Sequence, residues 1–160
     1  MKGDLGAMMA RHFSDGCVQG IIIRPERRAL PIELDKVDVS LDGLQGDHSR
    51  AGKRAVTLLQ VEHLPVISAL LGRREVDPSH LRRNLLISGI NLLGLRKSQL
   101  QIGTCQVYIH GPCPPCSRME EAFGPGGYSA VRGHGGVYAE VISAGSITLG
   151  CNVMRVDEAV

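Results

Sequence analysis

The sequence predicts a mainly β domain of the α+β class, a β-barrel or strongly bent mixed sheet carrying a few short helices. Three observations point there. Short β-branched and aliphatic runs recur along the whole chain and are bounded by Gly or Pro. The 20 glycines supply the bends that such a sheet needs. Helical spacing shows only in brief stretches.

Taken in order, "MKGDLGAMMARHF" has the Gly, Asp and doubled Met of a loose lead-in, assigned here to residues 1–12. It lacks the continuous apolar core of a secretory signal. Residues 13–160 then read as one domain, without repeat, linker or low-complexity tract. "VQGIIIRP" (18–25) is a buried strand closed by Pro25, and "IELDKVDVSL" (32–41) supplies one or two more. "RAVTLLQ" (54–60) is strand-like and runs into "VEHLPVISALLG", where Val61, Leu64, Ile67, Ser68 and Leu71 recur at helical spacing before Gly72. Asp77-Pro78 is a helix cap with proline in the first turn. "NLLISGI" (84–90) is a strand, and "QLQIGTCQVYIHG" (99–111) holds two strands around Gly103. "CSRMEEAFG" is a short helix stopped by glycine. The last segment, "GVYAEVISAGSITLGCNVMRV", reads as a hairpin turning at Ala144-Gly145.

Composition excludes several function classes. At 160 residues the chain is one domain, long enough to bury a core. Aromatics are 3% with no Trp, which argues against stacking platforms for single-stranded nucleic acid. A net charge of +2 is too small to imply a nucleic acid polymer as partner. No apolar run approaches membrane-spanning length, so no membrane partner is expected. Five cysteines, an odd number without signs of export, point to free thiols in a reducing cytoplasm.

Those thiols give "HGPCPPCSRMEE" (110–121) its interest. A zinc knuckle needs four ligands in matched pairs, and only one CxxC exists. Haem attachment needs His after the second cysteine, where Ser117 stands. A thioredoxin-like dithiol would sit at a helix N-terminus, as this pair does, but the alternating βαβ pattern is missing. Pro112, Pro114 and Pro115 stiffen the backbone and remove N–H donors, presenting Cys116 near the free amides of the following helix. Glu120 and Glu121 would partly offset any acidifying effect. The bland alternative is a tight turn whose cysteines pack, and Cys113 fits it better than Cys116.

Three polar segments accompany the pair. "GLQGDHSRAGKR" places Asp47 and His48 after two glycines, with Lys53 and Arg54 beyond Gly52. Alone it reads as an ordinary loop. "HLRRN" gathers Arg82, Arg83 and Asn84 where a helix meets an apolar strand, a donor cluster suited to phosphate or carboxylate, or simply a surface arginine pair. "VRGHGG" fits a flexible loop, and His134 there reads as a turn residue.

In this order, "GLQGDH" with "RAVTLLQVEHL", "LRRNLLISGINL", "LQIGTCQVYIHGPCPPCSRM" and "GHGGVYAEVISAGSITLGCNV" resemble the MOSC family, named for the C-terminal domain of molybdenum cofactor sulfurases. The resemblance spans roughly residues 18–153 and is closest to the short, stand-alone bacterial type. It implies a pyruvate-kinase-type β-barrel. It implies that Cys116 is the functional thiol, ligating molybdenum in relatives that hold the cofactor and proposed to carry a persulfide in sulfurase-type proteins. It maps the family's RxN element onto Arg82 and Asn84, near the pterin phosphate, and its GD-H element onto Asp47 and His48. Cys113 stands where no fixed cysteine is expected. The pyridoxal-phosphate domain of full sulfurases is missing, so no pyridoxal phosphate is expected.

Three functions follow from the resemblance and the residues together. In the first, the chain binds molybdopterin and reduces N-hydroxylated small molecules, such as hydroxylamino bases or amidoximes, with an external reductase supplying electrons. Cys116 would ligate molybdenum, while Arg82, Arg83, Lys53 and Arg54 would hold the phosphate. Asn84, Asp47 and His48 would orient pterin or substrate. In the second, Cys116 accepts sulfane sulfur from a cysteine desulfurase and Cys113 resolves the persulfide. In the third, the basic cluster is a non-enzymatic module for a phosphorylated ligand.

Overall fold

The computed structural model describes residues 3–156. Eleven strands and four short α-helices make up its regular structure, with three single 3-10 turns between them. The strands are β1 (Gly16–Ile23), β2 (Ile32–Leu34), β3 (Lys36–Ser40), β4 (Gly43–Leu44), β5 (Val56–Gln60), β6 (Leu85–Ser88), β7 (Gln99–Ile102), β8 (Cys105–Pro112), β9 (Val137–Ser143), β10 (Gly145–Thr148) and β11 (Asn152–Arg155). The helices are α1 (Asp4–Ala10), α2 (Leu64–Leu70), α3 (Ser117–Phe123) and α4 (Gly127–Val131).

Seven strands close on themselves in the order β1-β11-β7-β8-β9-β5-β6 and back to β1. Only β5 and β6 run parallel, because the segment between them carries α2 and two 3-10 turns and returns the chain to its starting end. Strand β2 hangs on the free side of β1 at Ile21–Ile23, beyond the reach of β11, which pairs only at Gly16 and Cys17. A second, three-stranded sheet (β10-β3-β4) adds its apolar residues Val37, Val39, Leu44 and Ile147 to the barrel core. The barrel interior holds Val18, Ile21, Leu58, Leu85, Leu100, Ile102, Val107 and Ile109, all at most 1% exposed. Each such aliphatic side chain contributes roughly 1.5–3 kcal/mol by leaving water.

The outer face of the β5–β6 edge is also buried. Leu59 packs with Ile67 of α2, Leu81, Met119 and Phe123 of α3, and Val131 of α4. Strand β5 is therefore covered on both sides, which is why "VTLLQ" reads as an apolar run and not an alternation. This second core ties α3, and hence the segment carrying Cys116, to the barrel wall.

Two expectations change. The final segment is not a hairpin: β9 pairs with β5 and β8, whereas β10 pairs with β3 in the other sheet. The chain crosses between sheets at Ala144, and Gly145 is required because a Cβ there would lie 2.5–2.6 Å from the Thr104–Cys105 backbone. Alternation marks a strand but says nothing of its partner. The lead-in carries α1, although none of that helix is buried; residues 1–2 of that segment and 157–160 of the assigned domain lie outside the described residues. Strand β4, α4 and the 3-10 turn at Leu92–Leu95 were not foreseen, being too short to leave a period.

Candidate functional site

Four loops converge beside the β1–β5–β6 edge of the barrel. Strand β1 ends at Ile23 and delivers Arg24. The β3–β4 hairpin leads through Gly46, at φ +87°, into Asp47 and His48. The 3-10 turn Pro78–Leu81, capped by the Asp77 carboxylate accepting from Ser79 N–H at 2.9 Å, is stopped by Arg82 in the left-handed region at φ 60°. Strand β8 ends at the proline-rich loop that sets Cys116 as the N-cap of α3. Together they enclose a cleft of about 360 Å³ lined by Arg24, Arg27, Asp47, His48, Arg54, Thr57, Arg82, Arg83, Asn84, Cys116, Ser117 and Arg118. Of the expected site residues, Asp47, His48, Arg54, Arg82, Arg83, Asn84 and Cys116 meet there; Lys53 and Cys113 do not line it.

Asp47 and His48 clamp the backbone of Arg24. The Asp47 carboxylate accepts from Arg24 N–H at 2.8 Å, and His48 N–H donates to Arg24 C=O at 2.8 Å. His48 Nδ1 lies 2.9 Å from the same carbonyl. A carbonyl only accepts, so Nδ1 carries the hydrogen and Nε2 is left as the nitrogen that exchanges protons. The Asp47 side chain is 5% exposed and His48 41%. Asp47 is thus a holding group, and His48 has an open face.

Asn84 is bound into the barrel wall. Its Oδ1 accepts from Thr57 N–H (3.0 Å) and from the Thr57 hydroxyl (3.2 Å), and its Nδ2 donates to Ile22 C=O (3.2 Å). The Thr57 hydroxyl in turn accepts from Asn84 N–H at 3.1 Å. One amide therefore joins β1, β5 and the start of β6, directly beneath the arginines.

The arginines dominate the electrostatics. Arg24 donates to Ala29 C=O (3.1 Å) and Ser79 C=O (2.6 Å). Arg82 and Arg118 both donate to Arg27 C=O, the latter at 3.3 Å. Arg83 Nε donates to Gly135 C=O at 2.6 Å, and Arg54 lies 4.6 Å from the centre of the Tyr138 ring. Among the described residues, none of these five guanidinium groups, nor that of Arg27, forms an ion pair with a carboxylate. Burial lowers the proton affinity of Arg24 and Arg82, and neighbouring arginines add to it: Arg118 for Arg24, where the Asp47 carboxylate acts in the opposite sense, and Arg24, Arg118 and Arg27 for Arg82. Cys116 acts on Arg82 in the opposite sense, as a thiolate beside it would. Carbonyls hold Arg24, Arg82, Arg83 and Arg118 in place without neutralising them.

The two cysteines of the CxxC have separate environments. Cys116 is exposed at the cleft. Cys113 is 5% exposed; its N–H donates to Gly136 C=O at 2.8 Å, and burial pushes its thiol upward against the opposing pull of Arg83 and Arg54. Glu120 turns away from Cys116 and accepts from the N–H groups of Gly126 and Gly127, at 2.5 and 3.1 Å. His134 stacks edge-on against His63 at 5.5 Å, outside the cleft lining.

Sequence reasoning missed Arg24, Arg27, Thr57, Ser117 and Arg118. The first two had a visible signal in "RPERR", an arginine cluster immediately after a buried strand. Among the described residues, no three His, Cys, Asp or Glu side chains converge to hold a metal. A metal at Cys116 would therefore have to arrive with most of its ligands. The arrangement offers one accessible soft donor beside a rigid field of positive charge, which suits a ligand that brings both an electrophilic centre and a phosphate.

A family model described as the MOSC domain matches residues 11–154. Among solved structures, the fold is similar to that of the YuaD protein from Bacillus subtilis, with a TM-score of 0.76 and 17% identity over 88% of this chain and 94% of that one. It is similar to YiiM from Geobacillus stearothermophilus (TM-score 0.73, 19% identity, 91% of this chain and 77% of that one). YiiM from Escherichia coli also matches (TM-score 0.70, 17% identity, 89% and 71%). No curated protein matches the chain. No helix among the described residues is long and apolar enough to cross a membrane.

Proposed function

The chain belongs to the MOSC domain family, and on that premise we propose that its cleft holds a molybdenum cofactor and reduces N-hydroxylated small molecules. The observation carrying this reading is that Cys116 opens into the same cleft as arginines that form no ion pair with a carboxylate among the described residues. The residues present fit the group: a thiolate is a soft ligand for a metal already held through sulfur, and guanidinium forks bind phosphate. When bound, the cofactor would supply the two-electron redox chemistry.

The chain's own contribution is binding, placement and protons. Arg82, Arg83, Arg24 and Arg118 hold the phosphate, with Arg54 at the rim. Cys116 ligates the metal. Reducing an N–OH group to N–H takes two electrons and two protons and releases water. His48, protonated from solvent through its open face, gives a proton from Nε2 to the departing oxygen. Asp47 and Asn84 act at one remove, holding Arg24 and the β1–β5–β6 edge in place. Electrons come from an external reductase. The proposed setting is the reducing cytoplasm, where all five cysteines remain thiols, as they are here.

The exposure of Cys116 also suits a second reading, in which it accepts sulfane sulfur from a cysteine desulfurase. The burial of Cys113 weighs against that cysteine resolving the persulfide. Metal and pterin analysis after expression in a cofactor-competent host decides between them. The cofactor reading predicts close to one molybdenum and one pterin per chain; folded, pure protein with neither contradicts it. A persulfide on Cys116 in such protein would install the carrier reading. Phosphate binding without either would leave a simple binding module.

A further inference from the structure

A second, larger cavity of about 890 Å³ lies directly beside the cleft, within the size range of small-molecule sites. The two share Arg24, Arg27, Arg82, Ser117 and Arg118 as a common wall. On the far side the groove adds Arg28 and His80, and an apolar strip of Leu30, Pro31 and Ala122. We propose that this groove is a second anion site, which binds the phosphate of a small organic phosphomonoester and rests the organic body on the apolar strip.

The charge on the shared wall exceeds what one phosphate in the cleft requires. A guanidinium has five N–H donors. Arg24 uses donors on two carbonyls, and Arg82 and Arg118 one each on the carbonyl of Arg27. Their remaining donors are available to ligands on either side of the wall. Packing these cations together is unfavourable: Arg118 acts on Arg24, and Arg24, Arg118 and Arg27 act on Arg82, while the Asp47 carboxylate relieves Arg24 in part. An anion on each side relieves it. Two carboxylates line the groove, but Asp77 is turned to Ser79 N–H and Glu121 pairs with none of the arginines. His80 is positioned by edge-on packing against Phe123 at 5.8 Å, so its ring adds a fixed polar edge to the groove. Leu30 is 85% exposed, a large apolar side chain on a loop that three guanidinium groups hold in place. An organic body would cover it.

The groove site stands whether or not the cleft carries the cofactor, and the test keeps the two apart. Calorimetric titration of the whole protein with AMP and with adenosine reads phosphate recognition directly. AMP is expected to bind at least tenfold more tightly than adenosine, and to weaken as salt rises. Arg28→Glu, a change confined to the groove, is expected to lower AMP affinity at least tenfold while molybdenum content stays as in the wild type. Arg54→Ser, confined to the cleft, is expected to leave AMP affinity within twofold. Equal affinity for adenosine and AMP, no binding of either, or AMP binding lost in Arg54→Ser and kept in Arg28→Glu would each overturn the groove site. Molybdenum content, measured on the same preparations, reports on the cleft alone.

Discussion

Asn84 separates a holding role from a ligand-binding one, and Asn84→Ala tests which it has. The substitution deletes three side-chain hydrogen bonds at 3.0–3.2 Å and leaves two backbone groups, Thr57 N–H and Ile22 C=O, short of a partner. A buried backbone group without a partner costs about 1–3 kcal/mol. Asn84 is half-buried, so water offsets part of this, and a total of about 2–3 kcal/mol is expected. For a chain of this size each kcal/mol moves the melting temperature by roughly 2–4 °C, giving a fall of about 5–10 °C. Asn84→Asp keeps both acceptor bonds but sets a carboxylate oxygen against Ile22 C=O where Nδ2 had donated, so its cost should be about 1–3 kcal/mol. Thermal unfolding followed by circular dichroism measures both. If Asn84→Ala melts within 2 °C of the wild type while molybdenum content collapses, the side chain serves the ligand and not the wall, and the placement of the arginines through it is refuted.

Further outcomes follow from local geometry. Burial pushes the Cys105 thiol from its ordinary value of 9.0 up to about 11. Between those values the unfolded chain has lost the proton and the folded chain has kept it, so stability falls as pH rises from about 9 to 11. The loss is of the order of 2–3 kcal/mol, and Cys105→Ala should remove that part of the slope in urea titrations across this range. Gly136→Ala would put a Cβ 2.0 Å from Leu58 C=O at φ +87° and should cost about 3 kcal/mol or more, whereas Gly133→Ala, at the same φ with nothing within 4 Å, should cost only about 1 kcal/mol. Equal urea midpoints for those two variants would contradict the close approach of the loop to β5. Brief alkylation and peptide mapping should label Cys116 well before Cys113 and Cys105, which are buried; parallel labelling of the three would show the proline loop to be open.

Much of the barrel was legible because strands announce themselves locally. The runs 18–25, 54–60, 84–90 and 99–111 each contain a strand where expected, and Asp77 caps its turn as its position before proline implied. Pairing was not legible. Nothing in "VISAGSIT" says that β9 and β10 enter different sheets, since the constraint at Gly145 comes from the Thr104–Cys105 backbone some forty residues earlier. The site divides the same way. Cys116, Asp47, His48 and the Arg82–Asn84 segment stand in compact motifs and meet in the cleft. Arg118 sits in an ordinary helical turn, and its convergence with Arg24 on the loop 24–31 is a product of the fold. Lys53 shows the converse: adjacent to Arg54 in sequence, it is exposed on the turn and not part of the lining.

X-ray absorption at the molybdenum edge of the cofactor-loaded protein, compared with Cys116→Ser, bears most directly on the role of the exposed thiol. Ligation through Cys116 predicts one sulfur fewer around molybdenum in the variant and an unchanged spectrum in Cys113→Ser. An identical sulfur count in wild type and Cys116→Ser would contradict it.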